Sequence, residues 1–286
     1  MKLIDIQHLN KKYPSFELKD VSFSLESGYI MGFIGKNGAG KTTTMKSMLH
    51  LVHPDSGKIF LNGIDMDQNE LEIKQSVGIV FGGIDYYPET KIKKLKNTIR
   101  PFYKEWNEEL FQKMINHFEI DENKKVKELS AGMKVKIAVA MQMAHNARLL
   151  ILDEPTSGLD PASRDDLILL FQKYIEDGEH SILFSTHITS DLEKCADYIT
   201  YIKDGRIINS TDKETFESNY LIVNGKKEDL SPETKDKIIG LNIHSLGFEG
   251  MINAQDKALF SGCMIEAASL EDVMVHQERK NLSEVF

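Results

Sequence analysis

Gly35-Lys36-Asn37-Gly38-Ala39-Gly40-Lys41-Thr42-Thr43 is the stretch whose reading decides the fold. It follows the apolar run Tyr29-Ile30-Met31-Gly32-Phe33-Ile34 and leads into Met45, Met48, Leu49 and Val52 at helical spacing. A glycine-rich turn between strand and helix lets several backbone N–H groups converge on one chain of phosphates, and the helix N-terminus adds the positive end of its dipole. Lys41 supplies a mobile ammonium, and the Thr42 hydroxyl is placed to reach a Mg²⁺ ion that bridges phosphate oxygens. The spacing predicts a phosphate-binding loop for a nucleoside triphosphate, with Gly35 to Thr43 as its binding residues.

The chain's 286 residues accommodate one large domain and a small appendage. Its composition, 41% hydrophobic and 28% charged, is ordinary for a globular protein, while the net charge of −9 argues against nucleic acid or anionic lipid as a partner. Cys195 and Cys263 form no CxxC or Cys/His cluster, so no disulfide framework or zinc site is expected and a reducing compartment fits. The opening Met1-Lys2-Leu3-Ile4-Asp5 has no long apolar segment, and no apolar run approaches the roughly 20 residues of a membrane span. A cytoplasmic chain without signal peptide or membrane segment is expected.

Leu3 to Leu9 and Val21 to Leu25 read as half-buried strands with period two, joined by a turn around Pro14-Ser15. His53-Pro54-Asp55-Ser56-Gly57 is a turn cluster, Lys58 to Gly63 a strand ending in a turn, and Val77 to Phe81 a further strand. From about 84 to 147 the pattern is helical and charged, with Leu110, Met114, Ile115 and Phe118 as its apolar stripe. Leu149 to Leu152 and Ser181 to Ser185 are continuous apolar runs, as expected for a parallel sheet covered on both faces. Near Asn219 the character changes. Tyr220 to Val223, Pro232 to Ile239, Ile243 to Ile252 and Ser269 to Gln277 predict a strand–helix–strand–helix unit, so the expected domains are 1–218 and 219–286. Ser269 with Asp272 three positions later marks the start of the last helix.

Asp153-Glu154 stands at the end of the strand Leu149 to Leu152, where a carboxylate pair can face the phosphate loop. Asp153 is placed to bind the Mg²⁺ shell, and Glu154 is free to accept a proton from water attacking a γ-phosphate. Taken alone, the pair also reads as a helix N-cap.

Leu129-Ser130-Ala131-Gly132-Met133 precedes that strand, and Ser157-Gly158-Leu159-Asp160 and Phe184-Ser185-Thr186-His187 follow it. In this order the motifs resemble the ATP-binding subunits of ABC transporters, over about Leu3 to Asp212. The resemblance implies an α/β P-loop NTPase (RecA-like) core with an antiparallel β subdomain, an inserted helical subdomain and a small α+β C-terminal extension. It implies Tyr13 stacked on adenine, Lys41 and Thr42 holding phosphates and Mg²⁺, Glu154 as catalytic base and His187 as γ-phosphate sensor. Ser130 and Gly132 would contact the γ-phosphate bound to a second nucleotide-binding subunit, with Ser157 to Asp160 as the D-loop. Alone, Tyr13 reads as a packed strand-end aromatic, His187 as a surface or core histidine and Ser130 as a helix N-cap.

The chain departs from the family at two places. Gly82-Gly83 replaces the usual glutamine, so either Asp85 approaches the metal or that contact is missing; LSAGM replaces LSGGQ, and Met133 lacks the terminal amide. The short helical subdomain and the tail Ala268 to Val273 are similar to bacterial ABC-2-type exporter ATPases. Asp85-Tyr86-Tyr87 after the glycines resembles a Gram-positive subset that includes exporters of phenol-soluble modulins. The implied function is an ATPase at the cytoplasmic face of the membrane that powers export of a peptide, toxin or drug-like substrate through a separate multi-span permease, as a homo- or heterodimer. Two alternatives stand beside it. A soluble assembly or translation factor is disfavoured by the single phosphate loop and the negative charge. A weakly hydrolysing partner subunit is disfavoured by Glu154 and His187 and favoured by Gly82 and Met133.

Overall fold

The computed structural model describes residues 1–82 and 84–279. The chain divides into two compact units between Ile208 and Asn209. That division precedes the 218/219 boundary expected above, and the short helix Lys213–Ser218 goes with the second unit. Residues 280–286 of the expected 219–286 domain lie outside the described residues.

Strands numbered in chain order form two sheets in the first unit, with the division falling inside the last of them, β10. An antiparallel sheet has the order β2-β1-β4-β5, with β1 (Lys2–Lys12), β2 (Glu17–Glu26), β4 (Ser56–Leu61) and β5 (Ile64–Asp65). In β2, Val21, Phe23 and Leu25 are buried and alternate with Ser22, Ser24 and Glu26, so one face packs inward and the other meets solvent. The second sheet has the order β10-β9-β3-β8-β7-β6, built from β3 (Ile30–Ile34), β6 (Val77–Phe81), β7 (Leu149–Asp153), β8 (Ser181–Ser185), β9 (Tyr198–Lys203) and β10 (Arg206–Asp212). Strands β9, β3, β8, β7 and β6 run parallel. Every residue of β3 and β8 is buried, as a doubly covered parallel sheet requires.

One apolar core joins the two sheets to the helix Lys41–Met48: Leu9, Val21 and Phe23 from the antiparallel sheet, Met45 and Met48 from the helix, and Phe33, Ile151 and Leu183 from the parallel strands all belong to one buried cluster. The Phe23 and Phe33 rings stack with centroids 5.5 Å apart. Each such side chain contributes about 1.5–3 kcal/mol by leaving water, and the helix start is thereby fixed against the strand that precedes it.

Between β6 and β7 lie the helices Ile92–Ile99, Glu108–His117 and Ala131–Ala144. Asn107 caps the second, accepting from the Leu110 N–H at 2.9 Å. Its inward stripe is Phe111, Met114 and Ile115, with Phe118 just beyond. Met114, Ile115 and Phe118 are buried as expected, while Leu110 is only half-buried and Phe111 takes its place in the stripe.

The second unit holds an antiparallel sheet in the order β12-β13-β11-β14: β11 (Tyr220–Gly225), β12 (Ile239–His244), β13 (Gly247–Asn253) and β14 (Met264–Ala267). The single strand expected over Ile243 to Ile252 is a hairpin of β12 and β13, and β14 was not anticipated. Ser269 does start the last helix, Leu270–Glu278: its Oγ accepts from Asp272 N–H at 3.1 Å, and Asp272 Oδ2 accepts from Ser269 N–H at 2.9 Å. Among the described residues, no helix is long and apolar enough to cross a membrane.

Candidate functional site

The loop closes tightly at Gly35 and Gly40, where there is no room for a side chain. Gly35 has φ +154°, and a Cβ there would stand 2.3 Å from the Ile202 carbonyl oxygen. Lys36, Asn37 and Gly38 are exposed at the tip, Ala39 and Gly40 turn back into the core, and the helix begins at Lys41, which Thr42 and Thr43 follow. Lys41 is only 6% exposed, and its Nζ donates to the Gly35 carbonyl at 2.6 Å. Burial pulls its ammonium below the usual lysine range, while the nearby carboxylates of Glu154 and Asp153 oppose that loss. A cation held in a glycine-rich turn at the start of a helix is suited to a chain of phosphates.

The acidic pair meets this loop across the sheet edge. Thr42 Oγ1 donates to Asp153 Oδ2 at 2.7 Å, and Ser185 Oγ donates to Asp153 Oδ1 at 2.5 Å. Glu154 adopts φ +53°, a left-handed conformation that costs a non-glycine residue about 1–3 kcal/mol and persists only where neighbours enforce it. Its carboxylate accepts from His187 Nδ1 at 2.7 Å. A recess of about 470 Å³ is lined by the loop residues 36–38 and 40–43, by Asp153 and Glu154, and by Ser15 and Phe16. A second recess of about 400 Å³ carries Tyr13 and shares Ser15, Phe16 and Gly38 with the first. Tyr13 is 36% exposed, with Lys11 Nζ 5.8 Å from its ring centroid.

Leu129 to Met133 and Ser157 to Asp160 are not among the residues that line the phosphate recess. They meet each other instead: a Cβ on Gly132 would stand 3.0 Å from Leu159 Cδ2. Ser130 caps the helix Ala131–Ala144, accepting from the Met133 N–H at 3.2 Å. Asp160 caps Pro161–Ile175, accepting from the Ser163 N–H at 3.0 Å. Both helix N-termini thus carry a side-chain acceptor; for Ser130 this is the N-cap that its sequence position alone suggests.

Gly82 has φ +75° in open space, so a glutamine there would carry left-handed strain. Gly83 lies outside the described residues. Asp85 accepts from Lys134 Nζ at 2.5 Å, and Glu89 pairs with Lys125 at 3.0 Å and Lys127 at 2.8 Å. These pairs fasten the loop after β6 to the helix Ala131–Ala144 and to the segment that leads into it, which gives Asp85 a partner outside the phosphate site. Sequence reading assigned no role to Ser15, Phe16 or Ser185. The first two stand in the turn beside Tyr13, and Ser185 stands two residues before His187.

Residues 18–157 match the family described as ABC transporter. The chain is 30% identical over 220 residues to the ABC transporter ATP-binding protein YtrB of Bacillus subtilis (strain 168), an alignment spanning 77% of this chain and 75% of that protein. It is 32% identical over 211 residues to the bacitracin transport ATP-binding protein BcrA of Bacillus licheniformis, spanning 72% and 68%. A solved structure of the ATP binding subunit of an ABC transporter superposes with a TM-score of 0.69 at 24% identity, covering 75% of this chain and 92% of that one, a likeness of fold.

Proposed function

Since the chain belongs to the ABC transporter family of ATP-binding proteins and is an ATPase with a P-loop NTPase fold, we propose that it is the motor of an exporter of amphipathic peptides or drug-like molecules. It docks on a separate multi-span permease at the cytoplasmic face of the membrane. The observation that carries the chemistry is the meeting of Lys41, Thr42, Asp153 and Glu154 at one recess, with His187 bonded to Glu154. In this reading Tyr13 stacks on adenine, and Lys41 with the loop N–H groups holds the β and γ phosphates. Water attacks the γ-phosphorus, the bond to the β–γ bridging oxygen breaks, and Glu154 takes the proton of the attacking water. His187 orients Glu154 and senses the γ-phosphate. The Thr42 hydroxyl and Asp153 carboxylate fit Mg²⁺, which suits one or two such oxygens together with substrate phosphates rather than an all-protein cage. When bound, Mg²⁺ neutralises charge on the phosphate oxygens.

Two chains complete two sites. The absence of Leu129 to Met133 from the lining of the chain's own recess supports this reading, because a helix N-terminus at Ser130 is then free to face the γ-phosphate held by a second subunit. Support for export of an amphipathic peptide comes from the likeness to a bacitracin transport protein and from the exposed Tyr86 and Tyr87 after the substituted glutamine position. Phosphate release by the purified chain is expected to require Mg²⁺ and to rise more steeply than linearly with protein concentration; a linear rise would remove the shared site. A strain lacking the chain is expected to accumulate an amphipathic peptide. Unchanged accumulation would sink the export reading and leave the ATPase standing.

Asp85→Ala tests the substituted loop. Its carboxylate is held by Lys134 in an exposed ion pair, a kind of contact that contributes little by itself. The substitution is expected to change hydrolysis by less than about threefold. A fall of about tenfold, or about 1.4 kcal/mol of transition-state stabilisation, would put Asp85 at the metal after all.

A further inference from the structure

Ser185 is fully buried on β8 and touches both members of the acidic pair. Strands β7 and β8 run parallel with Asp153 in register with Ser185. From that place its Oγ donates to Asp153 Oδ1 at 2.5 Å and accepts the Glu154 N–H at 3.1 Å, while its carbonyl oxygen accepts the same N–H at 3.1 Å. A hydroxyl has one proton to give and lone pairs to receive, so one serine can do both.

We propose that Ser185 is a positioning residue that sets the two carboxylates for their separate tasks. Its donated bond occupies Asp153 Oδ1 and turns Oδ2 toward Thr42 Oγ1, 2.7 Å away, the pair that fits Mg²⁺. Its accepted bond, added to that of its carbonyl, holds the Glu154 backbone at φ +53°. In that conformation the Glu154 side chain reaches His187. A left-handed glutamate persists only where its surroundings over-determine it, and Ser185 supplies two of the acceptors that do so. Without the hydroxyl, Asp153 can rotate about its terminal torsion, which has broad, shallow wells, and Glu154 keeps only the carbonyl contact.

The inference rests on the proposed roles of Asp153 and Glu154, and its test separates the two. Wild type, Ser185→Ala and Ser185→Thr are titrated with a fluorescent ATP analogue with and without Mg²⁺, and steady-state hydrolysis and thermal unfolding are measured on the same preparations. Ser185→Ala is expected to bind nucleotide without Mg²⁺ within twofold of wild type, to lose at least fivefold of the gain in affinity that Mg²⁺ confers, and to lose about tenfold in kcat. Ser185→Thr, which keeps the hydroxyl, is expected to recover most of both. A wild-type Mg²⁺ response in Ser185→Ala overturns the inference. So does an equal loss of binding with and without Mg²⁺, the mark of a general packing defect. If the wild-type chain shows no Mg²⁺ response, the proposed reading of Asp153 fails instead.

Discussion

Glu154→Gln is expected to lower steady-state ATP hydrolysis by about 10²–10⁴-fold, the range that a general base contributes. Glutamine keeps the size and shape of the side chain, and its carbonyl oxygen can still accept from His187 Nδ1, which stands 2.7 Å from Glu154 Oε2. Packing and backbone are therefore retained, and the group that takes the proton of water is not. Nucleotide affinity should hold, because Lys41, the loop and Thr42 are untouched. One opposing charge near Lys41 is removed, but Asp153 remains to sustain its ammonium. With binding intact and hydrolysis stopped, ATP-bound dimers should accumulate and elute early on gel filtration with Mg²⁺ and ATP. Hydrolysis within tenfold of wild type would remove Glu154 from the mechanism.

Those site residues were legible because their chemistry is compressed into consecutive residues. The loop, the helix start at Lys41 and the acidic pair each lie within one short stretch. Strands β6, β7 and β8 were also legible, since a strand covered on both faces is an unbroken apolar run. Contacts across the fold were not. Ser185 and Asp153 are far apart in sequence and meet only through the register of two parallel strands. Asp85 finds Lys134 only because the segment after β6 folds back on the helix Ala131–Ala144. In the second unit, β14 has no fully buried position and so no alternation to read. The β12–β13 turn was hidden because Leu246, 88% exposed, looks apolar in sequence and continues the run.

Lys41→Ala is expected to act on the other half of the site and to weaken nucleotide binding itself. A charged hydrogen bond contributes about 1.5–3 kcal/mol, so Kd for a fluorescent ATP analogue should rise about tenfold to a hundredfold. The loss of affinity is deepened because the carboxylates of Asp153 and Glu154 remain at the recess without the Lys41 ammonium that offsets them. Lys41→Arg should not restore binding, since a planar guanidinium does not fit a position that is 6% exposed and already closed by the Gly35 carbonyl. Unfolding supplies the control. Burial lowers the Lys41 pKa in the folded chain, so the ammonium binds its proton more weakly there than in the unfolded chain. Its charge therefore works against the fold at neutral pH, well below the ordinary lysine range. Removing it is expected to hold or raise the thermal midpoint in the absence of nucleotide while binding collapses. An unchanged Kd would mean the phosphates do not sit at Lys41. A midpoint several degrees lower would mean that this lysine serves the fold before it serves the ligand.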